Sequence, residues 1–237
     1  SIRPLTVGAE IVGLAPDRVN DPDVQKALYA AWLAHGMLLF KNVENFAHHL
    51  ALSRCFGELE LHPVIEARHK EEPLFVEIGG SKNYTFVYND TEIISNRIPW
   101  HRDTAFTPYV CKGAMLRMLI TPPREGDTWF SDTANAYDDL PADVKVKLDT
   151  LEYKATLNTG GDLQNNFPGT WWSKVRPPTK EEHYDPNAMN YSGAAARQPS
   201  VVLPALLVHP ESGRKCIYLS PTYVEFFIGM NQQESDD

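Results

Sequence analysis

Apolar and polar positions alternate in several short stretches of this chain and recur at helical spacing in others. Residues 7–12 alternate loosely and predict a first strand. Asp21 followed by Pro22 supplies a helix N-cap and then a proline at the first helical position, where its missing N–H has no bond to lose. Behind them Val24, Leu28, Ala31, Trp32 and His35 recur every three or four residues, predicting a helix that Gly36 stops. Residues 37–40 form a continuous apolar run, the mark of a buried strand. A second helix is predicted over residues 46–55, with Ala47, Leu50 and Ala51 turned inward and His48 and His49 solvated.

Further on, Leu74, Phe75, Val76, Glu77 and Ile78 read as a strand ended by Gly79 and Gly80. A polar stretch through Asn83, Asn89, Asp90 and Asn96 then predicts a long loop, of the kind that covers a substrate. Residues 114–120 are apolar enough for a central strand, with residues 127–130 returning antiparallel after the turn at Pro122, Pro123 and Gly126. Helical turns are predicted over residues 133–148, the later helix begun by Pro141 with Val144 and Leu148 inward. Residues 159–196 are rich in Gly, Asn, Pro and Ser and carry Phe167, Trp171, Trp172, Tyr184 and Tyr191. They read as an insertion into one domain, its aromatics either roofing a pocket or packing the insertion onto the body. Strands resume over residues 200–208 and 215–219, joined by a turn at residues 210–213.

Composition narrows the class. A chain of 237 residues, 43% hydrophobic and 22% charged, is long and apolar enough for one well-buried globular domain. Its net charge of −9 argues against nucleic acid or an anionic membrane as partner, since either needs clustered Lys and Arg. Cys55, Cys111 and Cys216 lie far apart without a Cys-x-x-Cys, which favours free thiols in a reducing compartment. No signal-peptide pattern opens the sequence and no apolar run is long enough for a bilayer, so a cytoplasmic protein acting on a small molecule is expected. A homo-oligomer is left open.

The chemistry concentrates in Ile98-Pro99-Trp100-His101-Arg102-Asp103-Thr104-Ala105-Phe106. Pro99 biases Ile98 away from helix, so the stretch is expected to be extended. In a strand His101 and Asp103 would share one face and Arg102 the other. An imidazole nitrogen and a carboxylate oxygen would then converge on one point, two-thirds of a 2-His-1-carboxylate iron site once a distant histidine joins them. The same pair would also serve as a surface ion pair or a hydrogen-bonded turn. A zinc hydrolase is disfavoured, because zinc sites draw on more His or Cys.

Around this motif the sequence resembles the taurine dioxygenase-like (TauD/TfdA) family of Fe(II)/2-oxoglutarate-dependent oxygenases. The resemblance is carried by Trp100-His101-x-Asp103-x-x-Phe106 and by Gly126-Asp127-Thr128. It extends from Val7-Gly8-Ala9-Glu10-Ile11 through His35-Gly36, Phe56-Gly57-Glu58-Leu59 and His62-Pro63 to His209-Pro210-Glu211-Ser212-Gly213-Arg214-Lys215 and Tyr218. It implies a mainly β fold with flanking helices, a double-stranded β-helix or jelly roll, and iron bound by His101 and Asp103. The cosubstrates implied are 2-oxoglutarate and O2, with succinate and CO2 as products and Thr128 touching 2-oxoglutarate. The family's second histidine and the arginine that clamps 2-oxoglutarate follow a Trp-Asp-Asn-Arg-type block that this sequence does not contain; they, and the last strands, are expected beyond Asp237. His209 and Arg214 match a strand-to-turn junction and not those roles. Arg97 is the candidate partner for an anionic substrate, with Phe167 and Trp171 as candidate pocket wall. The rival reading within the family is a catalytically inactive binding protein.

Overall fold

The computed structural model describes residues 1–78, 85–88, 90, 92–95, 100–121, 123, 126–157, 175–176 and 198–236. They fall into two compact units, the first made of Ser1–Glu60, Lys112–Lys145 and Leu207–Ile217, the second of Leu61–Cys111, Val146–Leu206 and Tyr218–Asp237.

In the first unit, β1 (Ile2–Pro4) pairs antiparallel with β2 (Ala9–Ile11), and β2 pairs parallel with β3 (Leu38–Phe40). Gly8 sits at φ 80°, and a Cβ there would lie 2.5 Å from the Met37 carbonyl oxygen, so only glycine lets β2 approach β3. The parallel pairing requires a crossover, and α1 (Pro22–His35) provides it. Asp21 caps α1 as its sequence predicts, its Oδ1 accepting from the Asp23 N–H at 2.9 Å, and Gly36 ends it at φ 71°. The core beneath consists of Ile11, Val19, Leu28, Leu52 and Cys55, with Phe40, Phe56 and Met115 packed against it. The apolar run at 37–40 does give the strand β3, but Leu39 is exposed, so that strand is covered on one face only.

The second helix, α2 (Phe46–Arg54), packs Ala51 on the core and half-buries Leu50 as expected, but its buried face is rotated from the one predicted. His49 and Leu52 point into the core while Ala47 lies in solvent. His49 is tolerated there because its Nε2–H donates to the Met115 carbonyl at 3.1 Å. Asp132 caps α3 (Thr133–Asp139), and α4 (Ala142–Leu148) follows with Val144 and Leu148 half-buried. The β9 (Leu206–Val208) and β10 (Lys215–Ile217) pair closes through the expected turn, where Gly213 adopts φ 69°.

The second unit holds a three-stranded antiparallel sheet in the order β11 (Val224–Phe227), β6 (Glu152–Ala155), β8 (Val201–Pro204). Neither β6 nor β11 stands out in the sequence. Alternation along β6 buries Tyr153 and Ala155 and turns Lys154 to an ion pair with Glu225 at 3.0 Å. A second sheet joins β4 (Thr85–Tyr88), β5 (Glu92–Ser95) and β7 (Val175–Arg176). The expected long loop is therefore in part a hairpin, turned at Asp90 with φ 59°. Apart from β7, the 159–196 segment lies outside the described residues.

Three expected strands are absent. Residues 114–120 and 127–130 run without ladder partners among the described residues, leaving Leu116, Met118, Leu119, Ile120, Trp129 and Phe130 exposed. Residues 74–78 make one isolated bridge, Arg68 to Val76. Apolar content alone does not make a strand; a neighbour must take its N–H and C=O groups. The described strands thus form four sheets of two or three strands, with helices alongside. All three cysteines are free thiols, and burial pushes that of Cys55 up. No described helix is long and apolar enough to cross a membrane.

Candidate metal centre

His101 and Asp103 sit in the second unit on a loop rather than on a strand. The expected alternation of faces is broken by a turn at residues 103–106, where Thr104 takes φ 54°, an uncommon setting for a β-branched residue. Thr107 closes this turn, its N–H and its hydroxyl both donating to the Thr104 carbonyl at 3.0 Å. Ala105 and Phe106 are buried behind it, and Phe106 meets the Tyr223 ring edge-on at 5.0 Å between centroids. The turn achieves what the strand was expected to do: His101 Nε2 lies 3.2 Å from Asp103 Oδ1.

The electrostatics suit a cation. The hydrogen bond from His101 holds the carboxyl of the half-exposed Asp103 below the usual carboxylate range, outweighing its partial desolvation, and the nearby charge of Arg102 adds to it. Asp103 in turn helps push the Tyr223 phenol up to about 12, burial being the larger cause. Two ligands at right angles on an octahedral ion, each about 2.1 Å from it, stand about 3 Å apart. The observed separation of 3.2 Å is close to that spacing, and the His101 proton between the two atoms would give way to the ion. Among the described residues no group of three His, Cys, Asp or Glu converges on one point. His62 Nδ1 accepts from the Val64 N–H at 3.2 Å.

Arg102 turns to the protein interior. Its N–H donates to Ser220 Oγ at 3.1 Å, and its guanidinium lies 4.0 Å from the centre of the Tyr218 ring. Tyr218 is braced from behind, its carbonyl accepting from Tyr153 Oη at 2.8 Å. Sequence alone points to Tyr218 but carries no trace of Ser220, Tyr223 or Tyr153, whose relation to the motif spans the chain. Thr128 belongs to the first unit, in an exposed stretch of irregular backbone. Arg97, Phe167 and Trp171 lie outside the described residues. His209 serves its turn, with Nδ1 accepting from the Ser212 N–H at 3.2 Å, and Arg214 is engaged by Asp138 and Asn135. Both therefore have the turn roles that sequence assigns them.

Solved structures share this fold. A taurine dioxygenase from Burkholderia xenovorans superposes with a TM-score of 0.60 at 23% identity, over 100% of this chain and 68% of that one. AAD-2, solved with Mn(II) and N-oxalylglycine, gives 0.60 at 19% identity, over 100% and 75%. Residues 1–237 match the family described as "Taurine catabolism dioxygenase TauD, TfdA family", and the chain belongs to it. Its class is that of 2-oxoglutarate-dependent dioxygenases, which work with Fe(II) and O2. An (S)-phenoxypropionate/alpha-ketoglutarate-dioxygenase from Sphingobium herbicidovorans is 28% identical over 98% of this chain and 73% of its own length. An alkylsulfatase from Acinetobacter baylyi is 27% identical, over 99% and 67%. An alpha-ketoglutarate-dependent 2,4-dichlorophenoxyacetate dioxygenase from Burkholderia sp. is 25% identical, over 87% and 63%.

Proposed function

We propose that this chain oxidises a small organic anion, with Fe(II) held by His101 and Asp103 inside the jelly roll of its family. The observation that carries the site is the 3.2 Å approach of His101 Nε2 to Asp103 Oδ1, with the Asp103 carboxyl held ionised. Bound there, iron supplies the oxidising chemistry that converts 2-oxoglutarate and O2 to succinate and CO2 while a substrate C–H bond is oxidised. Within this reading His101 binds as the neutral imidazole and Asp103 as the carboxylate, and Thr128 orients the cosubstrate. Arg97 offers a cation to the substrate, and Phe167 and Trp171 wall its apolar part.

The substrate class rests on the relatives' names, which specify phenoxypropionate, 2,4-dichlorophenoxyacetate, sulfate esters and sulfonates. What these share is a carboxylate or sulfur oxyanion on an organic body, and an arginine fork suits either. The test is 2-oxoglutarate-dependent succinate release over a panel of aryloxy acids, alkyl sulfates and sulfonates beside their uncharged analogues. Turnover with at least one anion is expected. Activity confined to neutral or cationic compounds would overturn the substrate class. Replacing Asp103 with Ala should lower turnover by at least about a hundredfold with an unchanged circular dichroism spectrum, since loss of a metal ligand removes the site and not the fold. Normal succinate production by that variant would remove Asp103 from the site.

A further inference from the structure

We infer that Ser220 is a positioning residue for the His101–Asp103 pair, an inference that rests on the reading of that pair as the metal site. The relative placement of the two side chains depends on the rotations about Arg102, the residue between them. That residue is held twice by one distant segment. Its N–H donates to Ser220 Oγ at 3.1 Å, across 118 residues of sequence, and its guanidinium stacks 4.0 Å from the centre of the Tyr218 ring. Ser220 is fully buried, so no water competes for its hydroxyl. Tyr218 is itself immobilised, because its carbonyl accepts from Tyr153 Oη, and Tyr153 is fully buried on β6, the middle strand of its sheet. The same segment reaches the far side of the motif through the Tyr223–Phe106 ring contact.

The loop needs such a brace. Asp103 is followed by Thr104 at φ 54°, a conformation that costs a threonine energy and persists only where the surroundings impose it. Without the Ser220 acceptor, the Arg102 N–H loses its partner and the His101–Arg102–Asp103 backbone is free to relax toward the extended form that its sequence prefers. There the two side chains still share a face, but their Cα atoms stand about 6.8 Å apart and nothing fixes the 3.2 Å approach. Ser220 acts through Arg102.

The experiment uses Mn(II) alone as probe, titrated into the whole chain and read by the electron paramagnetic resonance of the free ion, with amide exchange at Arg102 followed by NMR without metal. Ser220→Ala should speed exchange at Arg102 and weaken Mn(II) binding about tenfold, the loss typical when a ligand's support is removed. Ser220→Cys keeps the volume with a poorer acceptor and should shift both readouts the same way; it decides the matter if Ser220→Ala does not fold. Leu52→Ala, a cavity in the core of the first unit, should lower the unfolding temperature yet leave the Mn(II) affinity of the folded protein unchanged. Ser220 variants that fold and bind Mn(II) within about twofold of the parent would overturn the inference. His101→Ala separates the two ideas. If it abolishes Mn(II) binding while the Ser220 variants retain it, only the brace is wrong. If it binds like the parent, the site reading fails and this inference with it.

Discussion

His49 is buried on α2, where its Nε2–H donates to the Met115 carbonyl at 3.1 Å. Burial, more than the nearby charge of Arg117, holds its pKa below the ordinary histidine value, against the upward pull of the Met115 hydrogen bond. The unfolded chain takes up this proton near pH 6.5, the folded chain only at lower pH. Below that point the unfolded state therefore binds more protons, and the stability present at neutral pH is lost as pH falls toward the depressed folded value. A His49→Gln variant, which keeps a donor for Met115 but does not titrate, should lose less stability than the parent between about pH 7 and about pH 5 in urea denaturation. Tyr153 offers a second test at this scale. Tyr153→Phe removes the donor to the buried Tyr218 carbonyl, and about 1–3 kcal/mol of stability should go with it in the same assay.

Elements whose ends are written locally behave as the sequence predicts. Helix α1 begins at Asp21 and Pro22 and stops at Gly36, because capping and a positive φ are decided by the residues at those positions. Asp21→Ala should accordingly cost about 1 kcal/mol, read as a shift in the urea midpoint. Gly113 shows the opposite case, a position whose importance depends on a distant partner. A Cβ there would lie 2.7 Å from Trp32 Cζ2, so Gly113→Ala should destabilise by about 1–3 kcal/mol through overpacking, measurable by thermal unfolding. Strands were the poorest guide. Residues 114–120 have a strand's composition without a strand's neighbour, whereas β6 has an ordinary composition and two neighbours, β11 and β8.

For the chain as a whole, the net charge of −9 argues against a polyanionic partner. A polyanion gains its affinity from counterion release by clustered cations, and an excess of acidic residues opposes it. The chain should pass through a heparin column without retention at low salt; binding that weakens steeply with added salt would contradict this. A small anion needs only one well-placed cation, so the same charge is compatible with the proposed substrates.

The identity of His101 and Asp103, their spacing, and the order of sequence blocks around them were determined by the sequence alone, as were the caps of α1. Each depends on residue type at a position, or on neighbours within a turn. How the pair meets was decided by tertiary structure. Sequence favours an extended segment there, yet Thr104 turns at φ 54° because Phe106 packs on Tyr223 and Arg102 is held by Ser220 and Tyr218. Those contacts join parts of the chain more than a hundred residues apart, and nothing in the local pattern of either part marks its partner. His49 follows the same rule: a polar side chain enters the core only where a distant carbonyl, that of Met115, is waiting to receive its proton.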